Sequence, residues 1–227
     1  NQPIHPARNQ GALMRETNHE QAFHPIYNYA FITDAVEGLI ATDVNTLADG
    51  NPRNNFLKRA LTWNEGGVLH GARHLTIGGR YFYVAADSGL VVLDMDDPLH
   101  PRLTAQIPLR DVRATALQFR YLFLLDGDGL RVLDVTDPAR PQVVPGATVP
   151  IADARRVYVA RTRAYVAAGH EGLVIVDVPH PEQPKRELTY DAGGRIKDAN
   201  DVIVGSTNAS LFAYIADGDN GLVVLQL

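Results

Sequence analysis

The 227-residue chain contains no cysteine. That absence excludes disulfides, thiolate nucleophiles, iron–sulfur ligation and covalent attachment of c-type haem within it. It assigns no compartment, because a domain of this length buries enough apolar surface to fold without crosslinks. Serine is scarce, at Ser88, Ser206 and Ser210 only, each at a turn, and no G-x-S-x-G elbow surrounds any of them. A serine hydrolase is disfavoured. Walker loops and the H-E-x-x-H pattern are missing as well. Apolar runs last only a few residues, so no transmembrane helix is expected. Net charge is −5 with Lys and Arg scattered, which leaves no basic stripe to track a phosphate backbone and no nucleic-acid partner. The chain opens on Asn1 rather than Met, so it is processed, trimmed or part of a longer sequence; a removed signal peptide would explain this, but Asn1 itself does not show one.

What is present is a repeat. A Gly-Leu pair opens an apolar run at Gly38, Gly89, Gly129, Gly172 and Gly221, at spacings of 51, 40, 43 and 49 residues. The mean of about 46 matches the blade length of β-propellers. The runs read LIATDV, LVVLDM, LRVLDV, LVIVDV and LVVLQL. Before each lies an aromatic-rich strand, and before the last four a further short strand, such as 73–77 or 113–117. Pro-rich turns lead into a fourth strand, such as Arg102 to Ile107. Runs such as Leu90-Val91-Val92-Leu93 are apolar on both faces, which requires a neighbouring sheet on each side. Stacked blades supply that without helices. Few segments have helical periodicity, although a helical turn fits residues 46–61. The expected fold is all-β: a propeller of about five four-stranded blades. Its last blade stops after a third strand, either incomplete or closed by an N-terminal strand such as Ala12 to Thr17. Residues 1–22 read as an extended polar arm and 23–227 as the propeller.

The segments YVAADSGLVVLDMDDPLHP, FLLDGDGLRVLDVTDPARP and YVAAGHEGLVIVDVPHP resemble the LVIVD-repeat family of β-propellers. The resemblance spans roughly residues 23–227 and implies an extracytoplasmic protein: periplasmic, secreted or at the cell surface. It carries over no catalytic residue set, and a fold alone licenses no activity. Family context also makes an accessory role in a redox assembly, such as a multihaem cytochrome, conceivable; without cysteine the chain would serve it by docking or non-covalent ligation.

Three groups of residues are candidates for function. Counting back from the aromatic strand places His74, Ala114, Arg156 and Asp201 at one position of successive innermost strands, near the central channel. Arg73, Arg113 and Arg155 recur beside them, either as a cationic funnel for an anionic ligand or as partners of aspartates between blades. His74, Arg113, Arg156 and Asp201 are the ligand candidates, and an enzyme of hydrolase or lyase type acting on an anionic polymer at the channel mouth would use His74, Arg156 and Asp201. The second group lies in a long insertion, residues 45–69, where other repeats have a tight turn: Arg53, Phe56, Leu57 and Trp63 form a candidate partner surface. The third comprises metal-like patterns, which read more simply as structure. Asp126-Gly127-Asp128-Gly129 and Asp217-Gly218-Asp219 are hairpin turns rather than calcium loops. His70 and His74 are four apart but lead into a strand, so they do not converge. No metal and no cofactor is expected, and no catalytic residue is assigned. The leading reading is a non-catalytic scaffold that docks a protein partner or a second copy.

Overall fold

A computed structural model describes residues 24–47, 50–207 and 209–227. Their eighteen strands form five antiparallel sheets, the blades. Blade one holds β1 (Tyr29–Asp34), β2 (Gly38–Asp43) and β3 (Lys58–Trp63). Blade two holds β4 (His74–Gly78), β5 (Tyr81–Ala86), β6 (Gly89–Asp94) and β7 (Arg102–Ile107). Blade three holds β8 (Ala114–Gln118), β9 (Tyr121–Asp126), β10 (Gly129–Asp134) and β11 (Gln142–Pro150). Blade four holds β12 (Arg156–Ala160), β13 (Arg163–Ala167), β14 (Leu173–Asp177) and β15 (Lys185–Tyr190). Blade five holds β16 (Ala199–Ser206), β17 (Leu211–Asp217) and β18 (Gly221–Gln226). The all-β propeller expected from the repeat is the architecture observed. The proposed closing strand at residues 12–17 lies outside the described residues.

The hairpins are written locally. Asp126 Oδ1 accepts hydrogen bonds from the backbone N–H groups of Asp128 (2.9 Å) and Gly129 (3.2 Å). Asp34 and Asp217 do the same for their own turns. Each carboxylate thus tightens a turn, and the loops that resemble the start of a calcium site are structural. The glycine after the turn has a second role. At Gly38, Gly89, Gly129 and Gly172, φ is positive and an added Cβ would fall on the carbonyl oxygen of Trp63, Ile107, Val149 or Tyr190, in the outermost strand of the same blade. Only glycine lets that strand approach.

Stacking of the blades makes the core. Every residue of β6 is buried. One cluster joins blades one and two around Leu39, Phe82 and Leu93, with Phe31 edge-on to Phe82 at 4.7 Å. Others join blades two and three, three and four, and four and five. No such cluster joins blade five to blade one among the described residues. Leu222 and Val224, on the face of β18 turned away from blade four, remain 69% and 50% exposed.

The two terminal blades differ from the repeat in opposite ways. Among the described residues blade one has no innermost strand; a 3-10 turn at Pro25–Asn28 precedes its β1. Among the described residues blade five has no outermost strand. Among the described residues the insertion in blade one is helical only in short 3-10 turns at Asn45–Leu47, Pro52–Asn54 and Glu65–Gly67, and between the last two lies β3, the outer strand of that blade.

Candidate functional site

Each inner strand is preceded by a short segment that runs along the channel mouth. In blades three, four and five it reads Asp111-Val112-Arg113, Asp153-Ala154-Arg155 and Asp198-Ala199-Asn200. Arg113 donates through Nε and Nη2 to Asp111 Oδ2 (2.9 and 2.7 Å) and through Nη1 to the Ala154 carbonyl (2.9 Å). Its Nη1 lies 3.8 Å from Asp153 of the next blade. Arg155 repeats the pattern on Asp153 (3.1 and 2.7 Å), then reaches Asp198 (2.5 Å) and Asn200 (2.7 Å) of blade five. Arg73 pairs with Asp87 and lies 3.5 Å from Asp111. The three recurring arginines therefore form a girdle of ion pairs from blade to blade, not a funnel of unpaired cations. Hydrogen bonds to Asp153 lead, and with those to Asp198 hold the Arg155 guanidinium more firmly charged than usual.

Inside the girdle lies a cavity of about 590 Å³, lined by Arg73, Asp111, Arg113, Asp153 and Arg155 together with Arg156, Asn200 and Asp201. Strand register places the channel candidates on one ring. His74 opposes Ala85, Ala114 opposes Leu125, Arg156 opposes Ala167 and Asp201 opposes Ala216, the equivalent residue of each neighbouring strand. Arg113, Arg156 and Asp201 thus meet in one cavity. His74 stands two blades from Arg156, and its Nδ1 accepts the backbone N–H of Thr115 at 3.2 Å. Burial, helped by the nearby charge of Arg156, lowers its pKa to about 4. Arg156 donates to the Arg113 carbonyl at 3.3 Å and makes no ion pair among the described residues. Asp201 Oδ1 accepts its neighbour's N–H, from Val202, at 2.7 Å. His70 does not join this group; it pairs with Asp87 at 3.1 Å on the surface. Sequence reading did not single out Asp111, Asp153 or Asp198, although the D-x-R spacing at Asp111 and Asp153, continued as D-x-N at Asp198, is the signal.

The candidates in the blade-one insertion separate. Arg53 is exposed in its 3-10 turn, and Phe56 and Leu57 are exposed by 58% and 53%. Thr46 Oγ1 donates to the Phe56 carbonyl at 2.8 Å and fixes this loop. Trp63 instead opposes Leu39 in the blade and packs on the core between blades one and two.

A second concavity, of about 720 Å³, lies beside β18 where blade five lacks its outer strand. Tyr165, Ile175, Leu188, Tyr190, Leu225 and Leu227 contribute to its walls. Register equates Leu188 and Tyr190 with Ala105 and Ile107 of blade two, which pack against blade three. Leu188 and Tyr190 have no such cover and are 47% and 42% exposed. Gly221 has φ +72° like its counterparts, but a Cβ there meets nothing within 4 Å.

The profile of the LVIVD repeat matches residues 71–107, 152–192 and 198–226, which cover blades two, four and five. The chain belongs to the LVIVD-repeat β-propellers. No curated protein matches it in sequence. Among solved structures it is similar to the computationally designed Ika8 protein, with a TM-score of 0.59 at 11% identity over 88% of this chain and 56% of that one. It is similar to a candidate 6-phosphogluconolactonase from Bacteroides uniformis, with a TM-score of 0.56 at 13% identity over 87% of this chain and 66% of that one. The designed Ika4 protein gives a TM-score of 0.51 at 13% identity over 69% and 91%. At these identities the likeness concerns the fold alone. No helix among the described residues is long and apolar enough to cross a membrane.

Proposed function

We propose that this chain is a non-catalytic binding or scaffolding propeller of an extracytoplasmic assembly, and that it docks a protein partner at the unfilled fourth-strand position of blade five. One observation carries the reading. Blade five keeps the Gly-Leu start that elsewhere admits an outer strand, and it keeps apolar side chains opposite that strand, yet no described residue fills the position. A free strand edge beside an apolar groove takes an extended peptide by strand addition. The repeat describes the occupant: about six extended residues, with apolar side chains at alternate positions as at Ala105 and Ile107 of β7.

The chain's own N-terminal segment is the less favoured occupant. It enters the described structure at His24, 3.8 Å from Asp96 of blade two, and Ile26 packs between blades one and two. That is the side of blade one remote from blade five. Phe56 and Leu57, with Arg53 beside them, offer a second contact surface on the outer rim. The engagement of the channel aspartates by the arginine girdle supports binding over turnover.

The test is a photo-crosslinking residue at Val224 in protein isolated gently from its source. A crosslink to a second polypeptide, lost in Gly221→Ala, is the expected result. A crosslink to residues 1–23 of the same chain, or a native mass equal to one chain with no crosslink, overturns it. A haem absorption band in the crosslinked complex would identify the partner as part of a redox assembly.

A further inference from the structure

The channel mouth holds one arginine that the girdle does not use. Arg73, Arg113 and Arg155 are each committed to aspartates. Arg156 spends one N–H on a backbone carbonyl at 3.3 Å and has no carboxylate within ion-pair distance among the described residues. It begins β12 on the channel side. His74 begins β4 at the same position, and the residue between them on the ring, Ala114, adds no side chain beyond Cβ.

The state of His74 follows from its neighbour. A backbone N–H can only donate, so the bond from Thr115 makes Nδ1 the acceptor. A ring kept neutral by burial and by Arg156 then carries its proton on Nε2. That Nε2–H has no partner among the described residues. Two unfilled donors, one charged and one neutral, thus stand on the same ring around one channel.

We infer that the channel mouth binds the carboxylate group of a small organic acid, held between the Arg156 guanidinium and the Nε2–H of His74. The planar fork of arginine matches a carboxylate, and one charged and one neutral donor suit a singly charged group. Asp111, Asp153 and Asp201 share the cavity wall with the arginines, so a doubly charged phosphate meets more repulsion there than a singly charged carboxylate. The cavity that Arg156 lines, about 590 Å³, is in the range of small-molecule sites. His74 is not part of its wall but stands beside it: its Nδ1 is held by Thr115, two residues along from the Arg113 carbonyl that holds Arg156. Asp201, at the next position on the ring, is the group that opposes an anion; its carboxylate is satisfied only by the N–H of Val202. This site lies apart from the open edge of blade five and stands whether or not that edge takes a strand.

Nitrogen-detected and ¹⁵N-correlated NMR of the full chain at pH 7, titrated with propionate and separately with inorganic phosphate, tests the assignment. Propionate should shift the Arg156 side-chain and His74 ring signals saturably at millimolar concentration. Arg156→Gln should weaken that binding by about tenfold. His74→Asn, which keeps an acceptor for Thr115 but removes the outer ring nitrogen, should weaken it too. Asp201→Asn, at an exposed position, should tighten it. Absence of a saturable shift in the unaltered protein overturns the inference, as does phosphate binding more tightly than propionate. Unchanged affinity in a folded Arg156→Gln variant would overturn it as well.

Discussion

Acidification should destabilise this protein through His74 before its carboxylates respond. The imidazole is neutral in the folded state with a pKa of about 4, against 6.5 when exposed, because burial and then the Arg156 charge disfavour its cation. Between these values the unfolded chain binds a proton that the folded protein refuses. Stability is therefore complete above pH 6.5 and falls as pH drops toward 4. Linkage with these two values gives a loss of about 2.5 kcal/mol between pH 7.5 and 4.5. The assay is urea unfolding at both pH values, for the native sequence and for His74→Asn, whose amide oxygen can still accept the Thr115 N–H. The variant should lose about 2 kcal/mol less on acidification, since every other titrating group is common to both proteins. Equal losses in the two proteins would refute the buried neutral histidine, and with it the tautomer on which the carboxylate site depends.

Three further outcomes follow from the geometry. Gly89→Ala should cost about 3 kcal/mol or more, from strain at φ +112° and overlap with the Ile107 carbonyl, whereas Gly221→Ala should cost only about 1–2 kcal/mol in the isolated chain; urea midpoints compare them. Arg155→Gln, which uncouples Asp153 from Asp198 and Asn200, should lower stability by about 1–2 kcal/mol, or roughly 2–8 °C in melting temperature, and less at high salt. Asp217→Ala should cost about 2–3 kcal/mol, because its carboxylate accepts from the N–H groups of Lys197, Asp198, Asp219 and Asn220. Burial opposes the charge on Asp217, but these bonds prevail and hold its pKa at about 2. Its contribution is thus present above pH 3.8 and disappears as pH falls through 2, a second acid step that the alanine variant should lack.

The five Gly-Leu runs located every third strand because burial on both faces and a hairpin glycine are local demands that a short stretch of sequence must meet. The same periodicity placed His74, Ala114, Arg156 and Asp201 on one ring. The outer strand of blade one was hidden by the polar, Pro-containing approach from Asn45 to Leu57. Its sequence, KRALTW, nonetheless parallels KRELTY in β15, and that likeness places Trp63 in a blade, where its indole packs inward. That no inner strand of blade one occurs among the described residues leaves no trace in the Gly-Leu spacing, since the 3-10 turn at Pro25–Asn28 lies outside the repeat unit. The arginine girdle was legible as recurrence but not as pairing. Arg155 and Asp198 are 43 residues apart and meet only because blades stack side by side.

The two sites answer different demands on the repeat. Around the channel, each girdle arginine is tied to an aspartate of its own blade or of the next, so its charge is balanced and its position fixed. Departures at the inner-strand position, His74 in blade two and Arg156 in blade four, therefore face a rigid, charge-balanced frame, which is the condition for selecting a small anion by geometry. At the rim the logic reverses. An outer strand stabilises a blade chiefly by covering its neighbour, as Ile107 does toward blade three. Leu188 and Tyr190, the blade-four counterparts of Ala105 and Ile107, find no such cover on blade five and stay in water beside the open edge of β18. A partner bound there would complete the core between blades four and five, so docking and stability should rise together.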